Sequence, residues 1–393
     1  MMTSNISLEV KPLKLLYIII AVAFIDTFSQ LPIIAPFSSS LGATPLLIGI
    51  IIGMYSFSNI IGNILSGIWT DKIGPKKVLC IGMLTVGVIV FFYSVVTTPY
   101  QLLFVRFLHG IAGGFIVPAA FTFFGSKDKR KSNGKTMAFS GASVGTAAIL
   151  GPAAGALISA RLGFDWLFYI IASAMIFFGL LAVFFLKEKP NTGEATSIKL
   201  QEIKPVTKTG FTLFKKPLLH AYISIFLLLF TLGVLTYSLP LKVEALLISS
   251  EITGILLSTF GTVAILFFLL PTNKLFDKLN KSLLMNYGLA TIALALFLLS
   301  LSSTLIHMVF AMVVYGIGFA LLFPSTSATV IEFSKEKERG KAFGVFYSCF
   351  SLGVVGGSFF AGSLALTPSS SFLVSALLLV IIVSAIFISK KNA

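Results

Sequence analysis

Long apolar stretches alternate with short polar ones from one end of this chain to the other. A bilayer core of about 30 Å takes roughly 20 apolar residues in a helix. Runs of about that length fall at 13–37, 45–69, 78–96, 100–124, 134–160, 164–186, 218–241, 252–275, 282–302, 305–331, 342–366 and 370–389. Each predicts a membrane-spanning helix, and the Gly and Pro inside many of them are tolerated there better than in soluble helices. The polar breaks are short except for 187–217, where Pro190, Gly193, Pro205 and scattered Lys and Glu predict a flexible linker. The expected fold is an all-α membrane protein of twelve transmembrane helices, with a bundle at 1–186 and another at 218–393.

Composition supports a lipid-covered molecule. Only 11% of residues are charged and 56% are hydrophobic, whereas soluble domains carry about 25% charged residues. The distribution of the 29 Lys and Arg is one-sided. Twenty-six fall in the N-terminal segment, alternate loops, the 187–217 linker and the C-terminal tail; Arg161 and Lys242 fall on the other side, and Arg106 within a span. That asymmetry predicts a multi-pass cell-membrane protein with both termini cytoplasmic. It also accounts for the net charge of +15 through anionic lipid, at about 1 kcal/mol per basic residue near the surface, so no nucleic-acid partner is expected. The high ratio of Lys to Arg points to a bacterial source.

The 13–37 run is longer than a signal-peptide core and is read as a retained first span. Two cysteines, Cys80 and Cys349, and three scattered His give no metal-ligand spacing, so no metal or cofactor is expected. No nucleophile–base pair lies at useful spacing, which argues against an enzyme. Gly134-Lys135-Thr136 lacks the first glycine of a phosphate-binding loop, Lys129 standing in its place. Energy for transport would then come from an ion gradient.

The two halves share sequence at a constant offset of 206. Asp71 and Lys72 correspond to Asp277 and Lys278, Gly82 to Gly288, Gly110 to Gly316, Pro118 to Pro324, Gly134 and Lys135 to Gly340 and Lys341, and Gly151 to Gly357. A parallel duplication predicts two pseudo-symmetric six-helix bundles with a substrate site between them near the midplane, exposed alternately as they rock.

Asp26 and Arg106 are charges placed deep in predicted spans, where a charge costs about 2.5–3.5 kcal/mol on insertion scales and is a functional candidate by default. Asp26 sits about ten residues, roughly 15 Å, from the end of the first span, and His109 about nine residues, roughly 13 Å, from the same face on the antiparallel fourth. Arg106 is one turn from His109 on the same stripe. Asp26 is thus within reach of His109, Arg106 or both. The functional reading is a proton relay in which movement of Arg106 or arrival of substrate toggles Asp26; the alternative is a static ion pair. Gln30, the stripe Tyr55, Asn59 and Asn63 on the second span, and Tyr237 and Tyr315 are expected to line a substrate cavity, because polar groups at lipid depth face the bundle interior.

Three stretches then carry a family resemblance. Gly67-Ile-Trp-Thr-Asp71-Lys72-Ile-Gly74-Pro75-Lys76-Lys77 is similar to the G-x-x-x-D-R-x-G-R-K loop of the major facilitator superfamily. Arg106-Phe-Leu-His109-Gly110 resembles its R-x-x-Q-G. Gly151-Pro152-Ala-Ala-Gly155, preceded by Gly141 and Gly145, resembles the motif of its 12-helix drug:proton antiporter branch. Lys72 and Pro75 replace the usual arginines, His109 replaces Gln, and the second-half copy at 273–281 lacks its glycines. The resemblance implies proton-coupled efflux of small amphiphilic compounds by a monomer. It also implies that the Asp71 loop latches the halves in an outward-open state and that the glycine-rich fifth span is a leak-tight hinge. The alternative cargo on the same fold is a sugar, metabolite or lipid.

Overall fold

The computed structural model describes residues 12–127, 133–186, 213, 215–269, 279–335 and 338–391. Two helices, α1 (Pro12–Gln30) and α2 (Ile34–Ser40), form one span bent by 49°. The run expected as a single helix over 13–37 is therefore broken, and it extends to Ser40. The cause is Pro32, which has no N–H to give to the preceding turn; the Leu31 N–H closes a tighter bond to the Phe28 carbonyl instead. After it come α3 (Pro45–Ile73), α4 (Pro75–Phe91, continuing as a 3-10 turn over Phe92–Val95), α5 (Pro99–Gly113) with α6 (Ile116–Lys127), α7 (Asn133–Leu162) and α8 (Phe164–Phe185). The second bundle is α9 (Lys216–Ala245), α10 (Glu251–Leu269), α11 (Lys281–Leu301), α12 (Leu305–Phe333), α13 (Arg339–Ser363) and α14 (Pro368–Lys391). Most of the linker expected at 187–217, and most of the loop copy at 273–281, lie outside the described residues.

Helix starts follow local chemistry. Thr44, Thr98 and Thr304 accept a hydrogen bond from the backbone N–H three residues on, satisfying a donor the helix leaves open. Thr98 and Gln101 complete a capping box. Gly74, at φ +89°, turns the chain between α3 and α4, a backbone conformation that favours glycine.

The offset of 206 reappears in the coordinates. Added to Pro45, Pro75, Pro99 and Asn133 it gives Glu251, Lys281, Leu305 and Arg339, the observed first residues of α10 to α13. Packing repeats as well. A Cβ on Gly82 would press on Ile116, and one on Gly288 on the corresponding Leu322. Buried apolar side chains form two cores, one drawn mainly from Leu15–Leu186 and one from Leu218–Val383.

The helix ends that carry Lys72, Lys76, Lys77, Lys281 and Lys341 are called the basic face below. The bundles touch toward the other face. There α3 crosses α13 where Gly49 faces Ser358 and Gly362 faces Pro45. The α7–α10 crossing brings Gly254 onto Pro152, and the Ser258 hydroxyl donates to the Ile149 carbonyl at 2.5 Å. An ion pair, Arg161 Nε to Glu251 Oε1 at 3.1 Å, closes the edge. Toward the basic face, Gly67 on α3 and Gly344 on α13 look onto open space.

One charge departs from the sequence reading. Lys242, expected outside the spans, lies within α9 and is buried. Its ammonium donates to the Leu299 and Ser300 carbonyls and to Ser369 Oγ, so the C-terminal carbonyls of α11 supply what water would have supplied.

Candidate functional site

Asp26, Gln30, Arg106 and His109 meet inside the first bundle, and all four are buried. Asp26 and Gln30 lie one turn apart on α1, and Arg106 and His109 lie one turn apart on α5, so each helix offers a pair of polar groups on one stripe. The Asp26 carboxylate is held at both oxygens: Gln30 Nε2 donates to Oδ1 at 2.8 Å, and His109 Nε2 is 2.9 Å from Oδ2. Of the two reaches open to Asp26, the direct one is to His109. Arg106 arrives through Gln30, whose Oε1 accepts from Nη1 at 2.9 Å. The amide orientation follows from chemistry, since an ionised carboxylate only accepts and a guanidinium only donates.

Arg106 is otherwise solvated by protein. Its Nε donates to the Ile51 carbonyl and Nη2 to the Ile52 carbonyl, both at 3.2 Å, and the guanidinium lies 5.2 Å from the Tyr55 ring centre. Hydrogen bonds to a charged group contribute about 1.5–3 kcal/mol each. Three of them offset a cost of several kcal/mol for keeping the charge at this depth. Three donors pointing three ways suit a guanidinium fork and not an ammonium.

Sequence reasoning did not find Tyr93. Its hydroxyl is 2.9 Å from His109 Nδ1, and it is fully buried against Phe168. The 3-10 turn that ends the third span rotates it inward. The available signal was a single hydroxyl in an apolar run, which does not reveal its direction. The resulting chain, Asp26–His109–Tyr93, can hold either of two proton arrangements. With His109 Nε2 protonated, the imidazole donates to the carboxylate and Nδ1 accepts from Tyr93. With the proton on Asp26, the carboxyl donates to Nε2, and Nδ1 donates to the Tyr93 oxygen. A hydroxyl can reverse its role without moving its oxygen.

The second-span stripe packs on α5. Tyr55 lies edge-on to His109 at 4.9 Å between centroids, its hydroxyl 3.2 Å from Thr27 Oγ1. Asn59 Nδ2 donates to the Gly110 carbonyl, and Asn63 Nδ2 to Asn59 Oδ1. These three are half-buried. Both tyrosines expected at a cavity are buried. Tyr315 is fully buried with its hydroxyl 2.9 Å from Thr231 and its ring on Phe260, and Tyr237 is packed into the first core.

The glycine-rich fifth span is gripped from two sides. Toward α1, a Cβ on Gly151 would come within 2.8 Å of Phe28 Cβ, and one on Gly155 would strike the Ser29 carbonyl. Toward α10, Gly145 lies against Ile265, and the Pro152 carbonyl against Gly254. Gly141 lies on α7 outside the side chains described. Ser29 in turn donates to the Asp26 carbonyl oxygen, so α7 connects the backbone of the buried acid to the second bundle. The basic-face motif is exposed at Gly67, Asp71, Lys72 and Lys77 and half-buried at Gly74 and Lys76. Among the described residues Asp71 makes no ion pair.

A family model described as the Major Facilitator Superfamily matches residues 16–246 and 221–392. The chain belongs to that superfamily. It is similar to an uncharacterised MFS-type transporter of Methanocaldococcus jannaschii, 23% identical over 355 residues, 88% of this chain and 90% of the relative. It is also similar to multidrug resistance protein 2 of Bacillus subtilis, 24% identical over 352 residues, 88% of this chain and 86% of that one. A solved variant of the nucleoside transporter NupG superposes with a TM-score of 0.80 over 96% of this chain and 99% of its own at 18% identity, a likeness of fold. The protein is a multi-pass membrane transporter of this superfamily, not an enzyme.

Proposed function

We propose that the chain is a proton-coupled exporter of small amphiphilic compounds, with Asp26 as the titrating acid. The observation that carries this reading is the buried Asp26 carboxylate bonded to an imidazole that is itself bonded to Tyr93. A simple structural pair would need neither a titratable partner nor a reversible donor behind it. Arg106 sits one amide away through Gln30, so movement of Arg106 or arrival of substrate at that bridge is the toggle assigned to Asp26. Export is supported by the glycine-rich α7 motif and by the similarity to a multidrug resistance protein.

The basic face is taken as cytoplasmic. The closed face is then the outer one, and the arrangement described is open to the cytoplasm. The exposed Asp71 loop suits that state, since the family resemblance gives it a latching role in the opposite one.

Everted vesicles loaded by respiration test the coupling. Adding substrate should alkalinise the lumen with the wild-type chain, and Asp26→Asn should abolish that signal while labelled-substrate exchange persists. Proton movement unchanged in Asp26→Asn would remove the role assigned to this residue. Drug tolerance on overexpression separates amphiphilic drugs from sugars, metabolites or lipids as cargo.

A further inference from the structure

The closed face carries a cleft of about 520 Å³ between the bundles, within the range of small-molecule sites at about 300–1,000 Å³. One wall comes from α2 and the start of α8, with Pro36, Ser40 and Phe164. The other comes from the end of α9 and the turn after it, with Pro240, Glu244 and Leu247. Ser249, Ser250 and Thr253 add hydroxyls.

Its charge is unbalanced. Arg161 is engaged with Glu251, and Lys242 is turned into the bundle onto α11 and α14. These are the two basic residues that the sequence places on this face. Glu244 is exposed and, among the described residues, makes no ion pair. Beside it, Leu247 stands 96% exposed at φ +56°. Bonds from the Leu247 N–H to the Glu244 carbonyl and from the Ile248 N–H to the Val243 carbonyl hold that turn. One carboxylate next to a fixed apolar tip, an aromatic ring and three prolines, Pro32 included, matches a molecule with an apolar body and one positive charge.

We propose that this cleft binds amphiphilic organic cations, with Glu244 as counter-ion, and that occupancy holds the two bundles in the closed-face arrangement. The second part follows from the walls belonging to different bundles. A ligand that touches both loses half its contacts when they separate, and so favours the state in which they meet. Neither part depends on the cargo or on proton coupling; the occupant need not be carried across.

The test uses the full chain in nanodiscs with tetraphenylphosphonium as the cation and triphenylphosphine oxide as an uncharged comparison. Glu244→Gln should weaken cation binding about two- to five-fold, the range of an exposed charge pair, and leave the uncharged ligand unchanged. Glu244→Asp should keep most of the affinity, and Leu247→Ser should weaken both ligands. The same Glu244→Gln effect should appear in an Asp26→Asn background, which takes the buried acid out of the comparison. Saturating tetraphenylphosphonium should also slow labelling of Ser249→Cys by a membrane-impermeant maleimide. Equal cation affinity in wild type and Glu244→Gln, or labelling at position 249 indifferent to saturating cation, overturns the proposal.

Discussion

Tyr93 is bound to the buried acid only through His109, and its hydroxyl can partner Nδ1 of that imidazole in either tautomer. Removing its hydroxyl keeps the ring against Phe168 and leaves Nδ1 buried without its partner, at a cost of about 1–3 kcal/mol. Tyr93→Phe should therefore shift the pH profile of substrate-driven transport away from that of the wild type. Phe168→Leu, which alters packing alone, should lower expression or stability with the profile in place. A Tyr93→Phe profile superimposable on the wild type would mean that the hydroxyl only fills space. Arg106 shows the complementary case. Its charge is surrounded by the carbonyls of Ile51 and Ile52 and by Gln30, so its place is fixed by α3 as much as by the acid.

At the scale of an element, α7 shows why glycine spacing matters. Gly151 and Gly155 face α1 while Gly145 faces α10, and small residues are what let spanning helices approach this closely. Gly155→Val puts a branched side chain where the Ser29 carbonyl already sits. Overpacking of this kind costs about 1–3 kcal/mol and should appear as a lower melting midpoint of the purified protein. Gly67→Ala is the contrast, because nothing lies within 4 Å of the added carbon; its stability should stay within about 0.5 kcal/mol of the wild type, with the midpoint close to unchanged. Equal midpoints for the two variants would contradict the two-sided grip on α7. The break in the first span has its own local cause in Pro32, and it places α2 against the cleft while α1 holds Asp26 at depth.

For the whole molecule, the closure described between the bundles includes close helix crossings, the Ser258 hydroxyl-to-carbonyl bond and the Arg161–Glu251 ion pair. An exposed pair contributes about 0.2–1 kcal/mol. Arg161→Ala should then shift the balance toward opening by about five-fold at most, Arg161→Glu should shift it further because it adds repulsion from Glu251, and the swap Arg161→Glu with Glu251→Arg should restore it. Distances between spin labels at Ser40 and Ser249, on opposite sides of the cleft, read that balance directly. A single variant with a wild-type distance distribution would show that the glycine crossings alone set the closure. The weakness of the pair suits a transporter, whose two states must lie within a few kcal/mol of each other to exchange.

Much of this molecule was legible in the chain. Span length and hydropathy, the one-sided lysines and the offset of 206 follow from the thickness of lipid and from duplication, and both act along the sequence. They led to two pseudo-symmetric helical bundles, to helix starts that repeat at the same offset, and to a short list of buried polar groups holding Asp26, Arg106 and His109; the superfamily came from the resemblance of three motifs. What tertiary structure decided is which groups touch: Asp26 on His109 rather than directly on Arg106, Gln30 as the bridge, Tyr93 behind the ring, Tyr315 and Tyr237 packed away, and Lys242 drawn inward. The reason is rotational. Spacing along a helix fixes the stripe on which a residue lies, but the rotation and tilt that aim that stripe come from helices distant in sequence, so contact between stripes is settled only when all of them pack.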